Sequence, residues 1–253
     1  MRPALHAEWT KMRTVVGPRW LLLGTVAVTV ALSAVATSVV NCTAGRCGGD
    51  TTKLTLTGVH LGQVLVAILG VQIISGEYGT GMIRTTLTAV PRRATVFRAK
   101  AIALTGAVAV SGTAAVLASV LAGRLILPDI GDQALSLADG PTLRAVFGTV
   151  LYLVLIGLLS FGIATVVRDS ATSIGGVLGL LYIVPVISQT ISDPDWQHLL
   201  QQLGPMSAGL SIQATTDLGS LPIGPWAGLG VTALWAAVAL VAGGLLLRRR
   251  DAY

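Results

Sequence analysis

The densest group of chemically capable residues is the stretch GEYGTGMIRTTLTAVPRR, Gly76 to Arg93, where one carboxylate, Glu77, and the arginines Arg84, Arg92 and Arg93 stand among three glycines. A loop that only fixed topology would need the arginines but not the glycines, the carboxylate or the apolar edge Ile83, Leu87 and Val90. The stretch is therefore read as a docking site, with a plain amphipathic helix on lipid as the alternative. Catalysis finds no comparable set. His60 stands at the edge of an apolar run and His6 and His198 outside such runs, while Asp129 with Asp132 and Asp193 with Asp195 suit turns or solvated loops better than metal binding. The pair Cys42 and Cys47, in CTAGRCGG, has spacing that allows a tight disulfide ring, and two free thiols are the alternative. Two cysteines without a nearby histidine fall short of a metal site. No Gly-x-x-x-x-Gly-Lys-Ser/Thr run is present, so the chain has no phosphate-cradling loop of its own.

The elements that hold these residues are set by composition. Of the 253 residues 53% are hydrophobic and 11% charged, against about 25% charged in soluble domains, and the mean hydropathy is +0.78. Runs long enough to cross about 30 Å of hydrocarbon occupy 20–40, 58–75, 101–121, 145–167, 173–191 and 226–247, none of them holding Asp, Glu, Lys or Arg. A barrel would show shorter, alternating segments. The fold class is thus all-α, a single transmembrane domain over 1–253 with six helical spans. The first run is too long, and too far behind a polar segment, to be a removable signal peptide. Thirteen of the 17 Lys and Arg fall on the side of the termini and four opposite, which predicts both termini in the cytoplasm. These basic residues hug the span ends rather than forming one face, so the net charge of +6 points to lipid headgroups and not to nucleic acid.

Between the spans three segments stand out. Leu5, Trp9, Met12 and Val16 form one stripe of a helix within 1–19, with His6, Glu8, Lys11 and Arg13 on its other faces, and Gly17 and Pro18 are expected to end it. Such a helix is expected in the cytoplasmic interface as a membrane anchor, with a lever between a cytoplasmic partner and the first span as the alternative. In the loop 76–100, Gly76, Gly79 and Gly81 are expected to stop the second span, and Arg98 and Lys100 to hold the loop at headgroups. The long segment 192–225 mixes Leu199, Leu203, Met206, Leu210 and Ile212 with Gly204, Pro205 and Gly209, which fits an outer re-entrant hairpin or an ordinary loop with an amphipathic turn. Gly58 with Gly62, Gly175 with Gly179 and Gly224 with Gly228 are possible close helix contacts, and Pro185 a kink. Gln63, Gln72, Tyr152 and Gln189 are polar residues in or near spans. They are candidates for a translocation path, with interhelical hydrogen bonds as the alternative.

The stretch EYGTGMIRTTLTAVPRR resembles the cytoplasmic loop of bacterial ABC type-2 exporter permeases, and EWTKMRTVVGPRW is similar to the elbow at the start of that family. GPMSAGLSIQATT and GPWAGLGVTALWAAVALVAGGLLLRRRDA resemble its outer re-entrant region and last span. The resemblance implies a permease subunit in a bacterial cell membrane that exports an amphipathic or lipophilic compound, such as a drug, antibiotic or peptide. It implies pairing with a second permease chain, the same or similar, and with a separate ABC ATPase subunit. That subunit would carry ATP and Mg, and this chain would bind no cofactor and be no enzyme. By the same resemblance Glu77, Tyr78, Thr80, Met82, Ile83 and Arg84 match the coupling segment, with Gly79 where serine is frequent. Thr10, Lys11 and Arg13, beside Trp9, match the elbow, with Met12 where leucine is frequent. The alternatives are a membrane scaffold that transports nothing and a secondary carrier. The carrier fits less well, because it would be expected to hold an ionisable residue inside a span.

Overall fold

A computed structural model describes residues 2–39, 50–79, 81–82, 93–127 and 139–249. Besides two three-residue 3-10 turns, Ser211–Gln213 and Leu218–Ser220, ten helices are described: α1 (Arg2–Thr14), α2 (Val16–Val39), α3 (Thr51–Thr55), α4 (Val59–Gly79), α5 (Arg93–Ile126), α6 (Gly140–Val167), α7 (Ser170–Thr190), α8 (Pro194–Leu203), α9 (Pro205–Leu210) and α10 (Pro225–Arg249). There is no strand among the described residues. Six of the helices, α2, α4, α5, α6, α7 and α10, are long and apolar enough to cross a membrane, so this is an all-α, multi-pass membrane protein.

The helices pack through small residues because lipid tails are as apolar as leucine and give no drive to bury it. In α2, Thr25, Thr29, Ser33 and Thr37 recur every fourth residue and are all buried, while Trp20, Leu23 and Val35 point outward. Thr25 and Thr37 donate to the carbonyls of Leu21 and Ser33 (2.8 and 2.9 Å), and the Gly58 amide donates to Ser33 Oγ at 3.1 Å. Gly58 and Gly62 lie against Thr29 so closely that a Cβ at either would strike it. The other two glycine pairs behave differently. Gly228 is pressed against Ala208 while Gly224 is open, and Gly175 meets nothing within 4 Å. Helix α6 is the hub, packing on α4, α5 and α10. A Cβ on Gly162 would stand 2.6 Å from the Ala239 carbonyl carbon, so the α6 and α10 backbones touch.

Several boundaries differ from those expected. The break before the first span is at Val15, and Gly17 and Pro18 lie in the first turn of α2, where the missing proline N–H has no intrahelical acceptor to lose. Gly76 does not stop the second span, since α4 runs on to Gly79; Gly81 does take a left-handed φ of 70°. Helix α5 begins at Arg93, so Arg98 and Lys100 are helical; its 34 residues reach about 50 Å, beyond the thickness of a bilayer core. Within α7 a π-helical turn, Gly179–Ile183, ends two residues before Pro185, whose ring removes a backbone donor. After α7 the chain folds back: α8 packs on the end of α7, and α9 is buried against α10 and α6. Helix α8 has no buried residue and exposes Trp196, Leu199 and Leu203.

Candidate coupling site

The stripe expected to bury α1 holds at Leu5 and Met12 and fails at Trp9 and Val16. Met12 is buried and Leu5 packs on the core, but Glu8 turns inward, Trp9 is 36% exposed and Val16 belongs to the exposed start of α2. The reason is an ion cluster. Lys100 on α5 is 1% exposed, and its ammonium reaches Glu77 Oε1 at 2.7 Å, Glu8 Oε2 at 3.1 Å and the Ile73 carbonyl at 3.3 Å. Three protons find three acceptors, which is what allows a lysine to be fully enclosed. Lys11 adds a second cation, 2.8 Å from Glu77 Oε1 and 3.5 Å from Glu8 Oε1.

Local helix geometry delivers these groups. Ile73 and Glu77 stand at i and i+4 on α4, and Glu8 and Lys11 at i and i+3 on α1, so each pair shares a face. Two carboxylates and two ammonium groups balance in charge. Partial burial works to lower the pKa of Lys11, but its hydrogen bond to Glu77 and the charges of Glu77 and Glu8 raise it above the ordinary value. Glu77 Oε2 is buried with no hydrogen-bond partner among the described residues.

The neighbouring residue extends the connection. The Arg168 guanidinium lies over the Tyr78 ring, 5.2 Å from its centroid, and Arg168 itself takes the left-handed conformation (φ 65°) that closes α6. Ser170 at the head of α7 donates to Ser75 Oγ at 2.9 Å. Arg93 at the start of α5 donates to the Leu247 carbonyl near the end of α10, at 3.2 Å. Thus the last turn of α4 is bonded to α1, α5 and the α6–α7 turn at once. Among the described residues the site holds no nucleophile with an adjacent base; it ties helices together.

Of the residues singled out from the sequence, Glu77, Tyr78 and Lys11 are brought together here. Met82 lies beside them on a cavity of about 470 Å³ that Gln72, Lys11 and Glu77 also line. Gly79 ends α4 with open space around it. Trp9 and Arg13 pair with each other, the guanidinium 5.5 Å from the ring centroid. Thr80, Ile83, Arg84 and the helical edge expected at 83–91 lie outside the described residues, as do Cys42 and Cys47. Tyr152 is far from this site and wholly buried; it donates to Gln63 Oε1, Gln63 Nε2 donates to Tyr182 at 3.0 Å, and Tyr182 donates to the His60 carbonyl. Gln189 lines a separate cavity beside α8 and α9.

Sequence reasoning missed Glu8, Lys100 and Arg168, which it left as polar-face, headgroup and topology charges. A signal existed for Lys100. It and Glu77 each sit within about a turn of an apolar run, and charges at that depth are seldom left unpaired.

Among curated proteins none matches the chain. The family model described as ABC-2 family transporter protein matches residues 50–252, which takes in every membrane-crossing helix except α2. With six apolar helices and a match over most of its length, the chain belongs to the ABC-2 family of transporter proteins.

Proposed function

We propose that the chain is the membrane half of an ATP-driven exporter, moved by a separate ABC ATPase that docks on the connection between α4 and α5. The observation that carries this reading is the ion cluster of Glu8, Lys11, Glu77 and Lys100. It binds the two helices flanking that connection to each other and to α1. A push on the connection therefore moves three helices together, whereas flexible ends would absorb it. On this reading both termini are cytoplasmic, as the thirteen basic residues on their side favour, and segment 192–225 re-enters the outer leaflet. The cargo is an amphipathic or lipophilic compound, and a second permease chain covers part of the apolar surface of α2, α7 and α10.

The test is purification with the ATPase partner, followed by ATP turnover and export from inverted vesicles. The charge-neutral pair Glu77→Gln with Lys100→Gln should keep co-elution and ATP hydrolysis while export falls at least tenfold, and Arg84→Ala should weaken co-elution. Export unchanged in the pair, by protein that is still folded, would remove the cluster from coupling. A chain that elutes alone would favour a scaffold.

A further inference from the structure

At the end of the bundle away from α1, a cavity of about 530 Å³ opens between α7, the head of α4 and the folded-back pair α8 and α9. Its volume lies in the range of small-molecule sites. Its lining is divided in character. Lys53 of α3 contributes the cation and His60 of α4 an imidazole that can donate a hydrogen bond, while Met206, Leu210, Leu221 and Ile223 contribute hydrocarbon. None of the described residues that line it is acidic. Asp50, three residues before Lys53, is taken up elsewhere, accepting from the Thr215 hydroxyl at 2.7 Å and the Thr216 amide at 3.1 Å.

The walls are fixed before any ligand arrives. Tyr182 is held between Gln63 and the His60 carbonyl. Ser207 donates to the Gln201 carbonyl at 2.8 Å, Gln202 to the Pro222 carbonyl at 2.7 Å, and Trp235 Nε1 to the Leu203 carbonyl at 2.9 Å. The π-helical turn and Pro185 shape the α7 wall. Both α7 and α8 contribute to the cavity and also carry exposed apolar residues, Ile183, Val186 and Ile187 on one and Trp196, Leu199 and Leu203 on the other. Such rows suit contact with lipid and would admit a hydrocarbon chain from the side.

We propose that this cavity binds an anionic amphiphile, its acidic head at Lys53 and His60 and its chain along Met206, Leu210 and Ile223. A phospholipid of the bilayer and a transported anionic amphiphile share this chemistry. The site does not depend on ATP coupling, so its failure would leave the exporter reading standing.

Native mass spectrometry of the full chain in a neutral detergent tests it, with phosphatidylglycerol and phosphatidylcholine of equal acyl chains as probes. Wild-type protein should bind the anionic lipid about tenfold more tightly, because both headgroups carry a phosphate but the choline cation of the zwitterionic one is repelled by Lys53. Lys53→Gln with His60→Gln should bring the two lipids within about twofold, and the Tyr182 bond survives there because it uses the His60 backbone. Ile223→Trp, which fills the cavity, should weaken both lipids, and Arg124→Gln, outside the cavity, should leave the preference intact. An anionic phospholipid already present on extracted protein assigns the site to the bilayer. A site that is empty on extraction and fills with dodecyl phosphate assigns it to cargo. Equal binding of the two lipids by wild type, or a preference that survives the double substitution in protein that elutes as a single folded species, overturns the proposal.

Discussion

Two buried polar clusters hold this bundle together, and they are built from different chemistry. Near the N-terminal helix, Glu8, Lys11, Glu77 and Lys100 carry full charges. Within the spans, Tyr152, Gln63 and Tyr182 make a run of hydrogen bonds from neutral groups, ending on the His60 carbonyl. The difference follows from position along the helices. Glu77 and Lys100 stand at the ends of their apolar runs, where headgroups and water lower the cost of charge; Gln63 and Tyr152 are flanked by apolar turns, where an ionised group is far more expensive. The charged cluster has large energies at stake in each member. The neutral one contributes modestly, because an unfolded chain within the membrane finds other partners for its amides and hydroxyls.

The largest effect expected from breaking this contrast is at Lys100. Lys100→Ala strands Glu8 and Glu77 with only Lys11, and removal of one partner from a buried ion pair costs about 3–5 kcal/mol. Its melting temperature in detergent should drop steeply, and adding Glu77→Gln should recover a large part of the loss. An unchanged melting temperature for Lys100→Ala would mean that the cluster is open to solvent in the membrane-extracted protein. Gln63→Leu should cost less, about 0.6–1.7 kcal/mol, since it removes only neutral hydrogen bonds. If it matched Lys100→Ala, the neutral run would be the stronger tie and the contrast would be reversed.

The smallest effect is at Asp50, a carboxylate satisfied by backbone and hydroxyl donors instead of a lysine. Burial tends to raise its pKa, but the Thr215, Lys53 and Thr216 donors lower it below the ordinary value of 3.8. A group depressed in the folded state stabilises the fold fully above its unfolded pKa and loses that contribution as pH falls through the folded one. Wild-type protein should therefore lose more of its melting temperature than Asp50→Asn when taken from pH 6 to below pH 4. Equal losses would show that the Asp50 clamp adds nothing to stability.

The candidate site was half legible in the sequence. Glu77 and Tyr78 stood out because a lone carboxylate and an aromatic among glycines interrupt an otherwise apolar chain. Lys11 stood out through the elbow motif. What these residues touch was not legible: the arginine-rich tail of the stretch suggested a surface for a partner, yet the carboxylate of Glu77 faces lysines of its own chain. Glu8 was hidden by the helical stripe, because hydropathy periodicity assigns a glutamate to the wet face unless a distant cation is known to meet it. In α2 the periodicity of threonines at every fourth residue was present, but it marks an interface only when the surroundings are lipid and the partner surface, Gly58 and Gly62, is brought opposite.

The sequence by itself determined the class of the molecule and the number of its spans, since the length and hydropathy of each run are local properties that the bilayer reads one helix at a time. It also shows no Gly-x-x-x-x-Gly-Lys-Ser/Thr run, the phosphate-cradling loop of many ATPases. Only the tertiary structure decided that Glu8 meets Lys100 across 92 positions of sequence, that Tyr152 is a tie between helices, and that α8 and α9 fold back to enclose a cavity. These arrangements depend on which helix faces pack, and small residues allow close approach without naming the partner. The contacts that settle the partner lie far apart along the chain.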